Sequence, residues 1–298
     1  MTARLSRSRA ALVHPGGRAM REPDFVQSLQ RGLAVIRAFD ADAPALSLSE
    51  VARATGLARA AARRFLLTLV ELGYMRLDGR LFRLSPRVLE LGRPYLASLT
   101  VPEIALPHLR DLVADVRESA TVAVLDGADI VYVAHAPAKR IMSISITIGA
   151  RDPGYATSLG RVLLAAQSDA WLEGYLARVE LAAITPRTLA DAGKLRAELG
   201  RVRRQGFALV DQELEQGLRA LAAPIRGENG EVIAAVNLAV HTSRWSVDAI
   251  RHELLPRLLA TAAAVETDLG ASSLAGREAV AGARRSRALA GALVSPRG

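Results

Sequence analysis

The chain has 298 residues, half of them apolar, with 39 Lys and Arg against 30 Asp and Glu, a net charge of +9 and no cysteine. That length suits about two domains, each with its own core. The absent cysteines exclude disulfides, thiolate metal sites and thiol nucleophiles, and no apolar run nears the ~18 residues of a membrane span. With an Arg-rich start that lacks a secretory h-region, these features point to a cytoplasmic protein with no membrane partner.

The charge is uneven. Residues 1–22 and 271–298 each hold five Arg and one Glu, while 24–85 hold nine Arg against six acids. The ends, 1–23 and 271–298, are rich in Arg, Ala, Gly and Ser without periodicity and read as basic disordered tails. Bulk charge therefore says little about nucleic acid, and the arrangement of individual arginines must carry that reading.

Asp24 to Phe39 predicts a first helix, with Asp24 as its cap and Phe25, Leu29, Leu33 and Ile36 as its apolar face. Ala41–Pro44 reads as a loop. Ser47-Leu48-Ser49-Glu50 then has the spacing of a capping box, in which Ser and Glu satisfy each other's backbone donors. Gly56 is the left-handed residue that ends such a helix. A second helix begins near Ala58, with Ala62, Phe65, Leu66, Leu69 and Leu72 as its buried stripe. Arg59, Arg63 and Arg64 fall off that stripe, where a recognition helix meets the major groove. Tyr74–Leu77, an Asp78-Gly79 turn and Arg80–Leu84 form a basic hairpin. Helix, turn, helix and hairpin over 24–85 read as a winged helix-turn-helix, with Ser49, Arg59, Ala60, Arg63, Arg64 and Arg80 as the candidate DNA contacts.

Ser85-Pro86 opens a linker helix over 86–99, Ser as cap and Pro at the first position, with Val88, Leu91 and Tyr95 as a narrow stripe. A second domain, 100–270, begins with a helix through Val116. Thr121–Leu125 and Ile130–His135 read as a hairpin about Asp126-Gly127. Met142–Ile148 alternates as a half-buried strand. Helices are expected at Ser158–Gln167, Asp169–Arg178 and Leu189–Gln205. Strands follow at Phe207–Asp211, Leu218–Pro224 and Val232–Val240, the last two joined by Gly227–Gly230, and a helix over Ser246–Leu269 closes the domain. The fold class is α+β.

No catalytic constellation is visible. His14, His108, His135, His241 and His252 lack zinc-site spacing, and His135 at a strand end reads as structural. No phosphate loop, dinucleotide fingerprint or nucleophile elbow occurs. The chain is therefore read as no enzyme, with no cofactor and no metal. Gly149–Gly160 feeds a helix capped by Thr157 or Ser158, and a free helix start favours a carboxylate.

From Asp24 to about Gly270 the sequence resembles the IclR family of bacterial transcriptional regulators. The marks are FVQSLQRGLAVIRAFD, LSEVARATGLARAAARRFLLTLVELGY, DGRLFRLSPRVLELG, GYATSLGRVLLA and GFALVDQELEQGLRALAAPI. The match is closest to the branch with the PcaR and PobR regulators of aromatic-acid catabolism in the β-ketoadipate pathway. The resemblance implies a winged helix, a linker helix and a GAF/PAS-like effector domain. It further implies a homodimer or dimer of dimers that binds double-stranded operator DNA, answers to a small organic acid and, as an activator, meets RNA polymerase. It places the acid's carboxylate at the backbone of Ser158, Leu159 and Gly160. Asp211 would stand at a strand end by the pocket wall, with Ala220, Asn237 and Ala239 on the last two strands and Met142 and Ile144 as apolar wall. Several relatives carry Cys and Ser at those three strand positions, and many carry Ser at Ala58. The pocket so drawn suits an aromatic or longer dicarboxylic acid. The alternative is a constitutive DNA-binding protein whose second domain serves only oligomerisation.

Overall fold

A computed structural model describes residues 25–91, 100–138 and 146–271. The chain forms two compact units, divided between Ser98 and Leu99.

The first unit runs α1 (Gln27–Ile36), β1 (Leu46–Ser47), α2 (Leu48–Thr55), α3 (Arg59–Glu71), β2 (Met75–Asp78) and β3 (Leu81–Leu84). A three-stranded sheet has the order β1-β3-β2. Its core is Val35, Phe39, Val51, Leu66, Leu69, Met75 and Phe82. Of the expected apolar face of α1 only Ile36 packs against the core: Phe25, Leu29 and Leu33 are 49%, 63% and 49% exposed, and Val35 and Phe39 are the buried residues. The helix starts at Gln27 with Val26 at its cap position and no side-chain cap bond there, and Asp24, the expected cap, lies outside the described residues. Leu72, expected in the α3 stripe, is the C-terminal cap residue and is exposed. The wing turn also shifts by one residue. Asp78 pairs with Leu81, so Gly79-Arg80 is the two-residue loop, and Gly79 alone takes positive φ, at 62°.

The expected linker helix is a 3-10 turn over Pro86–Leu91, and the rest of that segment, with Tyr95, lies outside the described residues. The buried Ser85 Oγ accepts the Arg87 N–H, the cap that Ser85-Pro86 signals. Both tails also lie outside the described residues.

The second unit is built on a six-stranded antiparallel sheet, order β6-β5-β4-β9-β8-β7. The strands are β4 (Ser119–Asp126), β5 (Asp129–Ala136), β6 (Arg151–Pro153), β7 (Ala208–Asp211), β8 (Leu218–Arg226) and β9 (Val232–His241). One face is covered by α4 (Thr100–Val116) and α8 (247–271, with a π-helical turn at Ile250–Leu254), through Leu109, Leu112, Leu254 and Leu258. The other is covered by α5 (Ser158–Ala165), α6 (Asp169–Leu176) and α7 (Ala192–Gln205), through Leu159, Leu163, Leu195 and Leu199. The predicted strand Met142–Ile148 is not found where it can be followed. Met142 and Ile144 lie outside the described residues, Ile146 and Thr147 carry no regular structure, and Ile148-Gly149 turns. The edge strand is instead Arg151–Pro153, paired with β5.

Candidate nucleic-acid interface and small-acid site

In α2 the capping box forms. Ser47 Oγ accepts the Glu50 N–H at 3.4 Å, and Glu50 Oε2 accepts the Ser47 N–H at 2.8 Å. The Ser47 N–H and the Ser47 hydroxyl both donate to Glu50 Oε2 and hold the Glu50 carboxyl below its ordinary range. Gly56, at φ 69°, ends the helix without strain, and three residues later α3 begins. Buried Ala62, Leu66 and Leu69 anchor α3, so Arg59, Ala60, Arg63 and Arg64 all face solvent. Ser49 at the start of α2 and Arg80 in the wing turn are exposed as well. The guanidinium groups of Arg59, Arg63, Arg64 and Arg80 form no ion pair with another described residue, whereas Arg83 is paired with Asp78. Ala58 offers no side-chain cap, which for a lost Ser typically costs ~1 kcal/mol.

In the second unit Thr157 is the cap of α5. Its Oγ1 accepts the Gly160 N–H at 3.0 Å, and its carbonyl accepts the Arg161 N–H. The first turn is thereby left with the N–H groups of Ser158 and Leu159, not that of Gly160, for a ligand. Gly160 has a different task. A Cβ there would stand 2.2 Å from the Gly154 carbonyl oxygen, so the 3-10 turn Gly154–Ala156 can press against α5 only because residue 160 has no side chain.

Strand alternation sorts the remaining candidates. Ala222 and Ala235 pack with Leu159 on the α5 face, while Leu221 and Leu238 pack against α4 and α8. Ala220, Asn237 and Ala239 therefore share the α5 face. Asp211 does not. It is paired with Arg219, while its neighbour Val210 pairs with Ala220. Arg219 Nε reaches Asp211 Oδ1 at 2.7 Å, and Arg187 reaches Oδ2 at 2.6 Å. Asp211 ends β7, as expected, but because successive side chains on a strand point to opposite faces, Val210 and not Asp211 shares the α5 side with Ala220. Met142 cannot be placed.

Of four buried side-chain atoms without a hydrogen-bond partner among the described residues, Tyr175 OH and Glu198 Oε1 belong to α6 and α7, and Ser158 Oγ and Asn237 Oδ1 to the start of α5 and a strand facing it. Ser158 is 1% exposed with an unpartnered Oγ, and Asn237 is 6% exposed with an unpartnered Oδ1. Beside them, Arg161 is wholly engaged: Nε donates to the Tyr155 carbonyl at 3.1 Å and the guanidinium to Glu213 Oε2 at 2.5 Å. Glu213 also accepts the Leu189 N–H, and Thr185 and Thr188 donate to the Gln212 and Glu213 carbonyls. This ion pair escaped the sequence reading, since its partners lie 52 residues apart. At the far end of α5, Arg203 donates to the Ala165 and Gln167 carbonyls, a cation placed at a helix C-terminus.

A helix-turn-helix head whose exposed arginines have no ion pair among the described residues, on a chain whose second unit buries an unpartnered Ser158 Oγ at a helix start and an unpartnered Asn237 Oδ1 on a strand, has the plan of a ligand-responsive regulator. Comparison with known proteins agrees. Residues 28–79 match the IclR helix-turn-helix domain and 93–267 match the bacterial transcriptional regulator IclR C-terminal domain. The Pca regulon regulatory protein of Pseudomonas putida is 45% identical over 80% of this chain and 82% of its own length. The structure of a transcriptional regulator from Rhodococcus sp. RHA1 superposes with TM-score 0.75 at 53% identity, over 83% of this chain and all of that one. An IclR homologue from Microbacterium hydrocarbonoxydans, complexed with 4-hydroxybenzoate, superposes with TM-score 0.72 at 28% identity, over 82% and 99% of the two chains.

The chain belongs to the IclR family of bacterial transcriptional regulators. It is a DNA-binding regulator of transcription, not an enzyme, and its described residues include no helix long and apolar enough to cross a membrane.

Proposed function

We propose that this regulator is a homo-oligomer that reads operator DNA with α3 and the wing and changes its hold on that DNA when an aromatic carboxylic acid binds at the start of α5. The observation that carries the reading is the pair of unpartnered buried atoms, Ser158 Oγ and Asn237 Oδ1, beside the open N–H groups of Ser158 and Leu159. A buried polar atom without a partner costs about 1–3 kcal/mol, which a ligand carboxylate and its polar substituents offset. The 4-hydroxybenzoate held by the Microbacterium homologue supports an aromatic acid. On the DNA side, Arg59, Ala60, Arg63 and Arg64 enter the major groove, Ser49 contacts the backbone beside it, and Arg80 follows the wing.

The exposed apolar face of α1, formed by Phe25, Val26, Leu29 and Leu33, supports a dimer in which it meets its own copy and sets two reading heads on two half-sites. In an activating role the DNA-bound form touches RNA polymerase, and the setting is the cytoplasm. The test is selection of a duplex from a random-sequence pool, followed by binding to it with and without 4-hydroxybenzoate. Sequence-selective binding that shifts with the acid is the expected result. Equal affinity for all duplexes, or indifference to every aromatic acid tried, overturns the reading.

A further inference from the structure

Helix α3 presents a short and uneven set of side chains to solvent. Its inner side is fixed by the buried Ala62, Leu66 and Leu69. At about 100° a residue, the direction straight away from those three falls within roughly 15° of Arg64 and roughly 30° of Ala60. Arg63 stands roughly 90° round from that direction and Arg59 further still, one turn apart on the same flank. All four are exposed. The three arginines are therefore not equivalent. Arg64 projects from the outward face with the Ala60 methyl one turn behind it, while Arg59 and Arg63 edge the helix.

The chemistry of the outward face is narrow. Arg64 carries only donors, so it fits the two acceptors that guanine shows in the major groove, O6 and N7. Reading adenine takes an Asn or Gln, and none occurs in Arg59–Glu71. Cytosine needs an acceptor, and the one acid of α3, Glu71, is its last residue, about 10 Å along the axis from Arg64. Thr68 spends its hydroxyl proton on the Arg64 carbonyl at 2.8 Å. Ala60 offers a methyl, which suits the C5-methyl of thymine. It stands about 6 Å from Arg64 along the axis, close to two base-pair steps.

We propose that Arg64 reads a guanine and Ala60 a thymine methyl about two base pairs away, while Arg59 and Arg63 hold phosphates at the rim of the groove. The assignment rests on the reading that α3 lies in the major groove. It makes Arg64 and Ala60 the residues of α3 that set sequence specificity, and Arg59 and Arg63 anchors that carry none.

The experiment starts from a duplex selected by the full chain out of a random-sequence pool. Fluorescence anisotropy then compares that duplex with copies carrying 7-deazaguanine for one guanine or uracil for one thymine, in wild type, Arg63→Ala, Arg64→Ala and Ala60→Gly. Binding of an unselected duplex at low salt shows that each variant is folded. Removing N7 from the guanine that is read costs wild type and Arg63→Ala about tenfold, as one charge-assisted hydrogen bond allows, and costs Arg64→Ala nothing. Removing the methyl of the neighbouring thymine costs wild type about three- to fourfold and Ala60→Gly nothing. Arg63→Ala instead lowers the salt slope by about one. A selected half-site without guanine overturns the proposal, as does 7-deazaguanine sensitivity that survives in Arg64→Ala, or wild-type indifference to every thymine methyl. Enrichment of no duplex at all overturns instead the groove reading beneath it.

Discussion

The two units hold their functional groups under opposite conditions. In the first, Arg59, Arg63 and Arg64 stand in solvent with no ion pair among the described residues, on a helix fixed by Ala62, Leu66 and Leu69 behind them. In the second, Ser158 Oγ and Asn237 Oδ1 are enclosed and have no partner among the described residues. An exposed guanidinium waits in water at no cost, and its attraction for phosphate acts over the Debye length. A buried unpaired oxygen is destabilising until something binds to it. The head is thus ready before its partner arrives, whereas the second unit is completed by its ligand.

That contrast makes ranked predictions. Gly160→Ala is among the largest effects, comparable to loss of the buried ion pair, because a Cβ 2.2 Å from the Gly154 oxygen forces the 154–156 turn off α5. Overpacking of this kind costs about 3 kcal/mol or more, read as a lower unfolding midpoint in urea. An unchanged midpoint would mean that the close approach of Gly154 and Gly160 is wrong.

Arg161→Met leaves Glu213 buried without its cation and should cost about 3–5 kcal/mol, while Arg161→Met combined with Glu213→Leu recovers much of the loss. A double-mutant cycle in urea measures the coupling, and additive losses would show that the pair is not a unit.

For the head, Arg63→Ala and Arg64→Ala should each weaken binding to a selected duplex by about 1–3 kcal/mol where the arginine reads a base, with no change in melting temperature. Where it meets a phosphate, the salt slope should drop by about one instead. A variant that binds as tightly as wild type with the same slope would remove that arginine from the interface.

The smallest effect belongs to the capping box. Ser47→Ala should cost roughly 1 kcal/mol. Since the Ser47 donors lower the folded-state pKa of Glu50, the stability they give is present above the ordinary carboxylate range and is lost as pH falls through the lowered value. Melting temperature against pH should therefore fall less steeply in the acid limb for Ser47→Ala than for wild type.

The same contrast explains what could be read from sequence. Capping boxes, helix-ending glycines and the Gly227–Gly230 turn are local signals, and the Ser47–Glu50 box and the left-handed Gly56 and Gly206 occur where the spacing puts them. The apolar face of α1 was legible as apolar, but nothing local tells core from exposed contact surface, and Val35 and Phe39 took the core. The acid site depends on register. Asp211 does end its strand, yet its pairing with Arg219 puts its side chain on the face opposite Ala220, which only the register decides. Arg161–Glu213 is likewise invisible until β7 and α5 are packed.

The most direct measurement is fluorescence anisotropy of a selected duplex titrated with the full chain, with and without 4-hydroxybenzoate, in wild type and Asn237→Leu. The account predicts that the acid changes duplex affinity in wild type and leaves that of Asn237→Leu unaltered, while both proteins bind the duplex in its absence. A response of equal size in both proteins, or none in either, would contradict it.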